Sequence, residues 1–171
     1  DDFLLDGSHT SVIFGISHLG MSLTYGRFNQ VEGKYTLDAA DPAASKFQFL
    51  IKADSVDTGN ANRDNHLRNA DFLNTAEFPL ITFASTKVST KQEDDKTVYV
   101  VTGNLSMHGV TKEGTLELKL LGQGAGPQGN DFRTGFLCDT TLLRSEFGMT
   151  NNLPAIGDEV LIRISFEGVR Q

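Results

Sequence analysis

The feature that constrains this chain most is a two-residue period of apolar side chains, repeated in segment after segment. From Thr10 onward, Val12, Phe14, Ile16 and His18 fall at one parity, and Ser11, Ile13, Gly15 and Ser17 at the other. Residues 45–57 repeat the pattern, with Phe47, Phe49, Ile51 and Ala53 against Gln48, Lys52 and Asp54. Successive side chains of a strand point to opposite faces, so each such segment predicts a strand with one apolar face. The same period recurs at Ile81 and Phe83; at Tyr99, Val101, Leu105 and Met107; and at Leu116, Leu118 and Leu120. It continues at Phe136, Cys138 and Leu142, and at Val160, Ile162, Ile164 and Phe166; residues 27–37, which carry Phe28, bring the count to eight.

Gly, Asn, Asp and Pro concentrate in the joins at 39–44, 91–96, 107–114, 122–130 and 151–158, which are turn compositions rather than linkers. Eight antiparallel strands close into a barrel or stack as a sandwich. A barrel of that size is just wide enough inside for packed side chains or one small ligand, and closure removes its exposed edges. At 171 residues the chain fits one domain spanning 1–171.

One stretch breaks the alternation. In RDNHLRNADFLN, residues 63–74, charges and amides mix with Leu67, Phe72 and Leu73 at roughly helical spacing, inside a connection from Thr58 to Pro79 longer than a hairpin needs. A short helix is expected there, between the third and fourth strands, with Asn60 or Asn62 as its cap and Leu67 docking on the barrel. Its polar group Arg63, Asp64, His66, Arg68 and Asp71 has two readings: a solvated face with i,i+4 pairs such as Asp64 with Arg68, or donors at the mouth of a cavity.

Composition narrows the function. The aromatic residues are twelve Phe and three Tyr with no Trp, which predicts an interior of rings with almost no hydrogen-bonding groups. A net charge of −7 argues against nucleic acid and anionic membranes, which are recognised by excess Lys and Arg. The single Cys138 excludes an internal disulfide. No window approaches ~18 consecutive apolar residues, so no membrane-spanning helix is expected. The opening DDFLLDG lacks the regions of a signal peptide, which suits a cytosolic chain or a mature or excised form.

Catalytic constellations are absent from the sequence pattern. His9, His18, His66 and His108 form no H-x-H or H-x3-H pair, so no metal site is expected, and His18 ends an apolar stripe as a core or mouth histidine would. There is no G-x-S-x-G elbow, and GQGAGPQG lacks the ending and the strand-to-helix context of a phosphate loop.

The runs HTSVIFGISHLGMSLTYGRFNQVEG, SVDTGNANRDNHLRNADFLNTAEFPLITFAST, VVTGNLSMHGVTKEGTLEL, FRTGF, LLRSEFGM and IGDEVLIRISFEG resemble the YceI-like family of polyisoprenoid-binding proteins, in order and over almost the whole chain. The resemblance implies an all-β fold: an extended, lipocalin-like, eight-stranded antiparallel barrel with a long hydrophobic pore. It implies a bound isoprenoid lipid, either a polyprenyl phosphate or pyrophosphate or a quinone with an isoprenoid tail, that is sequestered or carried. It implies no catalytic cofactor, no enzymatic activity, and a periplasmic or secreted location; a homodimer is left open.

The expected pore lining is Val12, Phe14, Ile16 and His18 on the first strand, Phe28 on the second, Phe47, Phe49 and Ile51 on the third, and Ile81 and Phe83 on the fourth. Leu105, Phe136, Ile162 and Ile164 continue it on later strands, with Leu67 and Phe72 contributed by the helix segment. Strands of about nine residues at ~3.3 Å rise give a tunnel of roughly 30 Å. Arg63, Asp64, His66 and Arg68 are the candidates for head-group contact or for tying the helix down, and Arg144 is a candidate buried cation paired with Asp64 or Asp139, or a ligand contact. Two rival readings stand beside the carrier: an interaction module of a larger secreted protein, and a small enzyme on a bound isoprenoid or quinone, which needs His18, Asp64 and Arg144 to converge.

Overall fold

The alternating segments form one antiparallel sheet that closes on itself. The computed structural model describes residues 1–127, 129 and 131–171; Gln128 and Asn130, in the Gly-rich join at 122–130, lie outside the described residues. The strands are β1 (Asp2–Leu5), β2 (Ser11–His18), β3 (Ser22–Phe28), β4 (Val31–Thr36), β5 (Lys46–Lys52), β6 (Val56–Asp57), β7 (Leu80–Glu93), β8 (Lys96–Met107), β9 (Val110–Ala125), β10 (Phe132–Leu143) and β11 (Ile156–Arg170). One α-helix, α1 (Ala61–Arg68), stands between β6 and β7.

These strands make eight staves, because the first six pair off end to end. Long β11 pairs with β1 at Phe3↔Arg170 and with β2 from Ile156 to Ser165, so β1 and β2 are two halves of one stave. In the same way β4 pairs with β1 while β3 pairs with β2, and β5 pairs with β4 while β6 pairs with β3. β7 to β10 complete the ring, which β1 and β11 close. The result is a closed eight-stranded antiparallel barrel.

The sequence reading treats 27–37 and 45–57 as unbroken strands and does not see β1. In the fold each of the first three staves is interrupted, by 3-10 turns at Gly7–His9 and Ala53–Ser55 and by a two-residue break at Asn29 and Gln30. The second and third breaks sit side by side, joined by Asn29 N to Ser55 O at 3.1 Å and Lys52 N to Gln30 O at 3.0 Å. Aligned breaks bend the wall as one unit, which alternation along a single strand cannot reveal.

Beyond the bend a seam opens. β5 pairs with β7 through Gln48↔Ala84 to Lys52↔Leu80, but among the described residues β6 has only β3 as a neighbour. The segment carrying α1 covers this gap. Arg68 donates to the Asp54 carbonyl at 2.7 Å and the Val56 carbonyl at 2.9 Å, so a side chain takes over the hydrogen bonds of the missing strand partner.

The far half of the barrel is packed solid. Phe3, Tyr35, Phe47, Tyr99, Phe136 and Phe166 are all buried in one cluster. Phe3 stacks on Tyr35 at 5.0 Å, and Tyr35 meets Phe136 edge-on at 5.8 Å. Such ring pairs add about 0.5–1.5 kcal/mol each beyond their buried area. Within it the Tyr35 hydroxyl bonds the buried Thr134 hydroxyl at 2.5 Å, and burial pushes the phenol up to about 12.

Inward glycines make room for these rings. A Cβ at Gly168 would collide with the Tyr35 ring, and one at Gly33 would lie 2.7 Å from Phe49 Cδ1 on the paired strand. Glycine inside a strand here marks close approach of a ring.

Candidate functional site

Below the aromatic plug the barrel is hollow. A cavity of about 1180 Å³ is walled by Val12, Phe14 and Ile16 of β2, Phe28 of β3, Phe49 and Ile51 of β5, Ile81 and Phe83 of β7, Leu105 and Met107 of β8, Leu116 and Leu118 of β9, and Ile162, Ile164 and Phe166 of β11. Phe14, Phe28, Phe49 and Leu105 point inward yet are only half-buried, because part of each side chain borders the open cavity. The volume exceeds the roughly 300–1000 Å³ of sites for drug-sized molecules, and the walls are almost wholly hydrocarbon.

The polar residues collect at the mouth. His18, Asn62, Arg63, His66, Lys112, Glu113, Glu146 and Asn152 border the cavity there. Lys112 and Glu146 face each other across 3.4 Å, which holds part of the rim near neutrality.

Every residue expected along the pore borders this cavity except Phe47 and Phe136. Those two are a correction: both are fully buried in the plug, where Phe136 packs edge-on to Phe47 at 6.2 Å and stacks on Phe166 at 5.1 Å. Their parity is that of the lining, but they lie past the point where opposing rings meet. The through-tunnel of roughly 30 Å is corrected with them. The cavity is blind, its floor made by Phe49, Phe83, Leu118 and Phe166.

Helix α1 is held by polar bonds. Asn60 is the cap, its side chain accepting from Arg63 N at 3.0 Å, and the helix ends at Arg68, earlier than residues 63–74 suggest; Leu73 and Phe72 follow it in turns. Asp64 is buried and accepts from Thr58 N at 2.8 Å and from the Thr58 hydroxyl. It does not pair with Arg68, and it is not among the residues bordering the cavity. Arg68 is likewise withdrawn from the cavity, committed to the seam carbonyls and to Asn65 at 3.1 Å.

Arg63 and His66 do border the cavity. Arg63 donates Nε to the Thr58 hydroxyl and Nη2 to the Thr58 carbonyl while bordering the cavity. His66 bonds Asp71 at 2.8 Å and stands edge-on to Phe72 at 5.0 Å.

Arg144 is buried, as expected for that cation, but neither Asp64 nor Asp139 is its partner. Its guanidinium donates to four carbonyls, those of Gly157, Met149, Asn151 and Ile156, at 2.8–2.9 Å. Burial lowers its pKa, while nearby Asp158 works the other way. Asp139 pairs instead with exposed Arg163 at 2.6 Å. Arg144 thus staples the loop at 148–157 into the cavity wall, with its Cζ 5.8 Å from the centroid of the Phe72 ring. Among the described residues no hydrogen bond joins His18, Asp64 and Arg144.

Asp6, His9 and Glu167 bring ligand-type atoms within 4.8 Å of one another. Arg133 already occupies that place, donating to Asp6 at 2.8 Å and Glu167 at 3.2 Å, so the cluster is an ion-pair network. The sequence reading missed Phe147, Met149, Asn152 and Ile156 as cavity residues. Met149 and Asn152 come from the loop that Arg144 folds inward and Phe147 and Ile156 flank it, and no periodicity marks such an irregular segment as wall.

Residues 3–168 match the model of the YceI-like domain family. Protein YceI of Salmonella arizonae is 46% identical over 166 residues, 97% of this chain and 84% of that protein. A UPF0312 protein of Pectobacterium carotovorum is 45% identical, with the same coverage. Among solved structures, BcnA of Burkholderia cenocepacia superposes with a TM-score of 0.84 at 22% identity, over 95% of this chain and 98% of that one. A domain from Saccharophagus degradans described as polyisoprenoid binding superposes at 0.77 with 16% identity, over 99% and 98%.

Proposed function

Because this chain belongs to the YceI-like domain family, we propose that it binds a long-chain isoprenoid lipid in its barrel and sequesters or carries it without chemical change. The cargo is a polyprenyl phosphate or pyrophosphate, or a quinone with an isoprenoid tail, and the proposed setting is periplasmic or secreted. The observation that carries the reading is the blind apolar cavity of about 1180 Å³. The Saccharophagus degradans domain of like fold, described as polyisoprenoid binding, supports it.

Burying hydrocarbon yields about 0.8 kcal/mol per CH₂, hence roughly 4 kcal/mol per isoprene unit, and three units match the ~12 kcal/mol of nanomolar binding before ordering costs. Ordering a floppy tail cancels much of this, so tight binding needs a longer chain. The tail enters first and ends at Phe49 and Phe166, while Arg63, His66 and Lys112 meet the head group at the rim.

The test is mass spectrometry of an organic extract from protein purified without detergent, with native mass spectrometry of the same sample. One isoprenoid or quinone per chain is the expected result. Protein that is reproducibly empty, and that takes up no added polyprenyl lipid, overturns the reading.

A further inference from the structure

One side of the cavity mouth is built differently from the rest of the surface. Residues 10–26 contain no Asp, Glu, Lys or Arg, nor do residues 147–157, in a chain that is 22% charged. The fold brings these two uncharged runs together. Ile156 pairs with His18, and Leu19 N donates to the Ala155 carbonyl at 2.7 Å. At this junction the β2–β3 hairpin projects one turn past His18, which borders the cavity.

The tip of that hairpin is apolar and in solvent. Met21 is 85% exposed, Leu19 53% and Leu23 42%, with Leu153 at 36% on the adjoining loop. Leu19 also holds a left-handed backbone, φ 55°, in a turn closed by Met21 N to the His18 carbonyl at 3.0 Å. That conformation favours Gly, Asn and Asp, and the hairpin at the plug end follows the rule with Asp94 and Asp95. An exposed leucine in this position is disfavoured both by its backbone and by its hydration. Tyr25, 61% exposed on the outward side of β3, extends the apolar strip along the wall.

We infer that this lip, Leu19, Met21, Leu23 and Leu153, inserts into the interfacial layer of a zwitterionic bilayer and sets the cavity mouth against the membrane. Three observations select a bilayer as the occupant. The lip is continuous with the rim of an apolar cavity whose contents, if lipid, reside in membranes and not in water. It is small and protruding, a shape suited to insertion among head groups. The net charge of −7 opposes docking on anionic lipid, while an uncharged lip gives neutral lipid no such opposition. The purpose of docking rests on the lipid-carrier reading above, but docking itself is measured without any isoprenoid.

The full chain is mixed with large vesicles of pure phosphatidylcholine and floated through a density gradient. The protein should float with the vesicles, in high as in low salt. Leu19→Asp with Met21→Asp should lower the floated fraction by roughly tenfold or more, as two apolar anchors are replaced by charges. Leu4→Asp, at an equally exposed leucine of the plug end, should float like the unaltered protein. Because the chain has no Trp, Met21→Trp supplies a single reporter whose emission should shift to the blue with vesicles, whereas that of Leu4→Trp should not. Failure of the unaltered protein to float, equal flotation of the aspartate variant, or a blue shift of Met21→Trp that arises from self-association without vesicles each overturns the inference. In any of those cases a bound isoprenoid found by mass spectrometry would still stand.

Discussion

Phe14 shows how one side chain is bound to the barrel and to its contents. Its ring lies so close to Gly26 on the paired strand that no Cβ fits there, it leans on Phe28 at 5.7 Å, and its remaining face borders the cavity. Phe14→Asp places a carboxylate with no partner in a hydrocarbon wall, a change that expels lipid and costs stability. We expect this variant to purify without bound lipid and to unfold at lower temperature, while Arg63→Ala keeps measurable lipid in the same extract. Equal retention in both would remove the wall from any role in binding. Arg144, by contrast, is in the sequence either a buried cation paired with Asp64 or Asp139 or a ligand contact, and in the fold its guanidinium donates to four backbone carbonyls.

At the scale of elements, α1 is a patch over an incomplete wall. Its charges do not make a solvated face of i,i+4 pairs; Arg68 substitutes for a strand and Asp64 holds the entry turn at Thr58. Arg68→Ala leaves the Asp54 and Val56 carbonyls short of donors, for a loss of about 1–3 kcal/mol in unfolding free energy. Arg68→Lys should rescue little, since one ammonium cannot reproduce the planar fork. Denaturant titration measures both, and a neutral Arg68→Ala would mean that the seam is held by other contacts.

A second element, the 3-10 turn Gly7–His9 capped by Asp6, makes stability depend on pH. Bonds from Ser8, His9 and Arg133 hold the Asp6 carboxyl well below its ordinary 3.8, so this stabilisation is complete above pH 3.8 and is lost as pH falls through the folded value. Asp6 raises His9 above 6.5, so that share is complete below pH 6.5 and is lost as pH rises through the raised value. Asp6→Asn should therefore destabilise most between about pH 4 and 6.5, somewhat less at pH 9, and least near pH 2. Melting temperatures across that range are the check, and a pH-independent difference would dissociate the ion-pair network from stability.

For the whole molecule, the decisive property is that one end of the barrel is filled and the other empty. Tyr35, Phe47, Phe136 and Phe166 leave no passage, so the depth from the rim to Phe49 and Phe166 limits the tail that can be buried. Phe49→Ala removes floor and should shift the bound lipid toward longer homologues in the extract, at a stability cost of about 3–5 kcal/mol or less, because one face of the ring is already open. An unchanged lipid profile would mean that tail length is set elsewhere.

Although β1 and the breaks in the first staves escaped it, the sequence by itself determined most of the strands, their inward faces, the closed barrel through its family resemblance, and the place of helix α1. Those are properties of side-chain parity and local composition, which a strand displays along its own length. It also determined that Phe14, Phe49, Ile51, Phe83 and Ile162 face a common interior. Only the tertiary structure decided where that interior is solid and where it is hollow. Phe47 and Phe49 have the same parity and chemistry, yet Phe47 is fully buried among rings while Phe49, edge-on to Phe166 at 5.2 Å, still borders open space. Which inward ring is fully enclosed depends on its level along the barrel and on what the other staves place at that level. That is a sum over residues distant in sequence, as are the breaks that align across the first staves and the carbonyls that claim Arg68 and Arg144.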